Sequence, residues 1–141
     1  MGLDTIVNIK RGDDLIELGW FRKFYEFADW VVENGISLDE EGYEYELSFD
    51  DWKSLIKILQ PVAAILLSKT EADLYAFEEN GVDIFSQREK NIFNYSSFDI
   101  LHSHSFGITK KVLDLFYLAK VILMMSESLG GYESITVYNS F

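Results

Sequence analysis

The stretch Lys110 to Leu129 constrains this chain most, because it reads as a long helix that is apolar on most of its faces. At 100° per residue, Val112, Leu113, Leu115, Phe116, Leu118, Ala119, Ile122 and Leu123 cover most of its circumference. Such a helix has to be buried, so other elements must pack around it. Thr109 reads as its cap, and Gly130-Gly131 ends it.

The surrounding elements are legible as short runs. Thr5 to Lys10 is β-branched and roughly alternating, and predicts a first strand. Arg11-Gly12-Asp13-Asp14 predicts a turn, with an aspartate capping the helix expected over Leu15 to Asn34 and ended by Gly35. On that helix Trp20, Phe24, Phe27 and Val31 form one apolar stripe, and Leu18, Phe21, Tyr25, Ala28 and Val32 form another. Trp30 falls outside both stripes and is expected to be a spare, exposed ring. Tyr43 to Leu47 alternates as a strand with one wet face. Ser48-x-x-Asp51 resembles a capping box and opens a second helix carrying Trp52, Leu55, Ile56 and Leu59 inward. Pro61, the only proline, is expected to kink or break that helix, with Val62 to Ser68 continuing it. Thr70 caps a short helix over Glu71 to Asn80, stopped by Gly81. Val82 to Gly107 has poor periodicity and reads as loop with one or two short strands. Tyr132 to Tyr138 alternates as a closing strand. The expectation is a single α+β domain over residues 1–141, with a sheet of three to five strands, the N- and C-terminal strands included, packed with three main helices.

Charge narrows the partners. The formal net charge is −12, and the acids cluster. Ten lie between Phe24 and Trp52 with no Lys or Arg among them, and five more lie between Thr70 and Gln87. Such a field repels phosphate backbones, so direct nucleic-acid binding is not expected, and a basic protein surface is favoured. The simplest account of the charge is a solubilising surface. Cysteine is absent, which excludes disulfides, thiolate metal sites and a cysteine nucleophile. The apolar run Leu55 to Ser68 is interrupted by Lys57, Gln60 and Pro61 and reads as core, so no membrane association is expected. The N-terminus shows no secretory pattern, and Ile6 stands where a myristoylation motif needs Ser or Thr. A cytoplasmic protein is therefore expected.

Three stretches carry a family resemblance: the start Met1-Gly2-Leu3-Asp4 running into a strand, Glu17-Leu18-Gly19-Trp20-Phe21-Arg22-Lys23 leading towards Trp30-Val31-Val32-Glu33-Asn34, and the aromatic end Tyr132 to Phe141. This layout resembles a family of small bacteriophage and prophage proteins that begin Met-Gly-Leu-Asp. Thr5-Ile6-Val7 departs from its Met-aromatic-Leu, and Val82 to Gly107 has no counterpart in it. The family has no established activity, so the resemblance transfers no catalytic residue. It implies expression in a bacterial host cytoplasm and a virus–host or accessory role.

Chemistry is sparse. Both histidines lie in Phe98 to Gly107, as His102-x-His104, with Asp99 three residues before the first. On a strand the two rings would face one way, and Asp99, His102 and His104 could then hold a catalytic metal in a small hydrolase. Two polar residues in an exposed loop is the plainer reading, since a third histidine and cysteine are lacking. The chain has no G-x-S-x-G elbow, no phosphate-binding P-loop and no dinucleotide fingerprint. No cofactor and no catalytic residue is assigned. Binding is expected before catalysis, through Trp30, Tyr43 and Tyr45 among the acids Asp39, Glu40, Glu41, Glu44 and Glu46. The expected partner is a host protein with a basic surface, which the chain could inhibit or engage as an acidic mimic of DNA. A homo-oligomeric module, such as a homodimer through the edges of the terminal strands, is a third reading.

Overall fold

A computed structural model describes residues 2–126 and 133–141. Five strands form one antiparallel sheet in the order β2-β1-β5-β4-β3, with β1 Asp4–Arg11, β2 Asp14–Arg22, β3 Ile36–Ser37, β4 Glu44–Leu47 and β5 Glu133–Ser140. Among the described residues there are five α-helices: α1 Tyr25–Asn34, α2 Phe49–Leu67, α3 Glu71–Asn80, α4 Gln87–Asn94 and α5 Ile108–Met125. The architecture is α+β, as the order of runs implies.

The largest departure from the sequence reading is at Leu15 to Arg22, which is a strand and not the start of a helix. Arg11 pairs with Asp14, leaving Gly12-Asp13 as a two-residue hairpin turn with Gly12 at φ +64°. The aspartates therefore serve a turn and not a helix cap. Gly19 fits this outcome. A Cβ there would stand 2.7 Å from Leu118 Cδ2, so its bare backbone lets α5 approach β2 closely. The first helix is only ten residues long and begins at Tyr25. It does end before Gly35, where a Cβ would stand 3.0 Å from that of Tyr45.

One face of the sheet is inside. The cross-strand rows Gly19–Val7–Val137–Tyr45 and Ile9–Ile135–Leu47 lie on it, and every non-glycine member is buried. Against it pack Phe24, Phe27 and Trp30 of the α1 region, Trp52, Leu55 and Leu59 of α2, and Val112, Leu115 and Ile122 of α5. Phe21, Phe24, Phe27, Phe98 and Trp52 make a chain of ring contacts through this core, with centroids 5.4 to 6.3 Å apart. A second set, Phe77, Phe85 and Phe93, stacks edge to face between α3 and α4.

Helix α2 starts as expected, with a full capping box between Ser48 and Asp51. It is not broken at Pro61 but runs on to Leu67. Helix α3 has the expected bounds, with Thr70 as cap and Gly81 in the left-handed conformation. Residues 82–107 hold no strand. They form α4, opened by a capping box of Ser86 and Glu89, and a short 3-10 turn at Ile100–His102. Helix α5 begins two residues earlier than expected, with Gly107 at its N-cap and Thr109 inside it. Its expected stop at Gly130-Gly131 lies outside the described residues. No described helix is long and apolar enough to cross a membrane.

Candidate protein-binding face

The other face of the sheet carries the row Trp20–Ile6–Tyr138–Glu44 across four strands. Beside it runs the row Asn8–Thr136–Glu46–Ile36. Period-2 alternation places both rows opposite the core. Thr136, at the centre of this face, is buried, but its aromatic and aliphatic flanks are not: Trp20 is 56%, Tyr138 38% and Ile36 70% exposed. The sheet thus presents large apolar groups to solvent on the side away from the helices.

Tyr43 joins this surface. Its ring centroid is 6.4 Å from that of Tyr138 and 6.2 Å from that of Phe141, which is itself largely exposed. The preceding loop is held by Asp39. Its Oδ1 accepts the backbone N–H of Tyr43 at 2.9 Å and that of Glu44 at 3.2 Å, and its carbonyl accepts from the Ser37 hydroxyl. Asp39 is therefore a loop-shaping residue, while Glu40 and Glu41 are free to face solvent. Glu44 and Glu46 sit half-buried in the two open-face rows. Three rings and several carboxylates share one end of the open face.

Two of the expected contact residues are not there. Trp30 is buried at 4% exposure, because the true α1 begins at Tyr25 and turns this ring into the core. Tyr45 is buried at 7%, as the strand alternation that sends Glu44 and Glu46 outward requires. Trp20, Tyr138 and Phe141 take their places. The sequence does carry a signal for Trp20, since Gly12-Asp13 between two β-rich runs is a hairpin pattern.

The strand edges are also elsewhere than expected. The terminal strands β1 and β5 lie inside the sheet, and the edges are β2 and the two-residue β3. The terminal strands are thus not the sheet edges through which a dimer was expected.

The histidine segment is a turn. Asp99 Oδ1 accepts the N–H of Leu101 at 3.0 Å, capping the 3-10 turn, and its Oδ2 lies 2.7 Å from Nδ1 of His102. His104 is exposed in the bend that follows, so the shared strand face that a His-x-His site needs does not form. Among the described residues no three of His, Cys, Asp or Glu are grouped to hold a metal ion. The flanking serines are tied instead to α1. The hydroxyls of Ser103 and Ser105 donate to the two oxygens of Glu26, Ser105 at 2.7 Å, and Ser105 Oγ accepts the N–H of Tyr25 at 3.2 Å. Phe24 gives α1 no side-chain cap, and Ser105 supplies one from 80 residues away. Likewise α5 has no cap of its own, and the Glu78 carboxylate of α3 accepts the N–H of Thr109 at 2.6 Å. Lys111, two residues further on, has its pKa lowered by burial, with Glu26 and Glu78 opposing that shift.

The chain matches no protein-family model, no curated protein and no solved structure.

Proposed function

We propose that this chain acts by binding a protein with a basic surface, using the open face of its sheet. On the resemblance to small phage proteins, it is a bacteriophage accessory protein and its partner is a host protein in the bacterial cytoplasm, which binding inhibits or occludes. One observation carries the reading: the solvent-exposed rings Tyr43, Tyr138 and Phe141 share one end of the open face with Glu44 and Glu46, after a loop that carries Glu40 and Glu41, and Trp20 extends the same cross-strand row at the far edge. Aromatic groups supply most of the affinity at protein interfaces, and surrounding charge steers and selects the partner. The net charge of −12 favours a basic protein over a nucleic acid.

Affinity capture from bacterial lysate tests this. A basic protein should be retained at low salt and released as ionic strength rises past about 0.1 M, where the screening length falls below about 10 Å. Trp20→Ala and Tyr43→Ala should each lose capture while keeping the far-ultraviolet spectrum of the parent. Retention of nothing above background at low salt, or retention unchanged by either substitution, would refute the assignment.

A further inference from the structure

A cleft of about 690 Å³ opens between α2 and α4, on the helical side of the molecule and away from the sheet face. Ile58 and Pro61 from α2 and Ile92 from α4 give it apolar walls over the buried Val62, and Asn91, Tyr95, Ser96 and Ser97 complete the lining. Its charged groups are both cations: Lys57 on α2 and Arg88 on α4. No acid lines it, in a chain with 24 acids against 12 bases. Ion pairs elsewhere engage Arg22, Lys53, Lys69 and Lys90, whereas Lys57 and Arg88 form none among the described residues. Glu89, next to Arg88 in sequence, is occupied by Lys69 at 2.9 Å and by the N–H of Ser86 at 2.8 Å.

We propose that this cleft binds a small amphipathic anion, an aliphatic monocarboxylate whose chain lies on Ile58, Pro61 and Ile92 and whose carboxylate meets Lys57 and Arg88. The volume lies within the roughly 300 to 1,000 Å³ of small-molecule sites, and mostly apolar walls with a few polar anchors are their usual construction. The site's positive charge runs against the net charge of −12, so general electrostatic attraction does not bring an anion here. Selection depends on the local pair of cations and on the apolar wall together.

Titration of the ¹⁵N-labelled full chain with decanoate, decanol and decylamine tests the assignment. Decanoate is expected to bind saturably, with shifts confined to the residues that line the cleft. Decanol should bind more weakly and decylamine not at all. Lys57→Gln and Arg88→Gln change exposed side chains and should each weaken decanoate roughly threefold, and about tenfold together, the scale of exposed ion pairs. Added salt should reduce the difference between decanoate and decanol. Absence of saturable decanoate binding overturns the proposal. So does equal affinity for decanol, an unchanged affinity in the double variant, or shifts that map to the sheet face. Binding of an acidic amphipathic peptide but not of decanoate would also overturn it, in favour of a helix-docking groove.

Discussion

Thr5 and Asn139 face each other across β1 and β5 on the core side of the sheet, and both are fully buried. The Thr5 hydroxyl donates to Asn139 Oδ1 at 2.8 Å, while Asn139 Nδ2 has no partner. Thr5→Val keeps the shape and removes the donor, leaving the whole Asn139 carboxamide unpaired. An unsatisfied buried polar group costs about 1–3 kcal/mol. The added methyl surface returns up to about 0.8 kcal/mol, so the expected net loss is about 1–2 kcal/mol. Asn139→Leu removes the orphaned amide as well, but strands the Thr5 hydroxyl. The double variant Thr5→Val/Asn139→Leu leaves nothing unpaired and is expected within about 0.5 kcal/mol of the parent, or above it. The backbone N–H of Asn139 keeps its bond to the Tyr43 carbonyl at 2.7 Å throughout. Urea unfolding of the four proteins gives the coupling directly, and it should be about 1–2 kcal/mol. In melting temperature, each kcal/mol corresponds to about 2–4 °C for a chain near this size. Strict additivity, with the double variant as unstable as the sum of the singles, would refute the reasoning. The pair also opposes a slip of register, because a one-residue shift would carry Tyr138 inward and the amide outward.

Gly19→Ala places a methyl 2.7 Å from Leu118 Cδ2, the mobile end of a side chain, and should cost about 1–2 kcal/mol in denaturant unfolding. Gly19→Val should cost more. Glu78→Ala removes the acceptor for the Thr109 N–H and should lower stability by about 1 kcal/mol, with faster amide exchange at Thr109 than elsewhere in α5. Glu89 has its pKa held below its ordinary 4.5 by the Ser86 N–H and then by Lys69. A depressed folded-state pKa contributes stability that is present above 4.5 and lost as pH falls through the lower folded value. Glu89→Gln should therefore unfold more easily at pH 7 and lose less stability on acidification, read as melting temperature against pH.

The elements most visible in the sequence were those whose signals are local. Ser48-x-x-Asp51, Thr70 with Gly81, and the alternation through Glu44 to Leu47 all act within a few residues, and each forms as its pattern dictates. Leu15 to Arg22 failed because its apolar residues suit either period, and the deciding partner is β1 across a hairpin. Within residues 82–107 the box Ser86-x-x-Glu89 was a readable helix start, obscured by the low hydrophobicity of Gln87 to Asn94. The ties of Glu26 to Ser103 and Ser105 span 77 and 79 residues and leave no local trace. The acid-rich character of the candidate face was legible from composition alone. Its rings were not, since which of Trp20, Trp30, Tyr43, Tyr45 and Tyr138 faces solvent depends on where a strand ends and a helix starts.

Strand β5 lies between the β1–β2 hairpin and the β3–β4 hairpin, and is the last of the five to be translated. Until it leaves the ribosome, β1 and β4 each present a row of unpaired peptide groups. The two hairpins cannot meet through any other strand. Synthesis through β5 must therefore precede closure of the sheet, and a ribosome that stalls before Glu133 leaves a nascent chain open to chaperones and proteases.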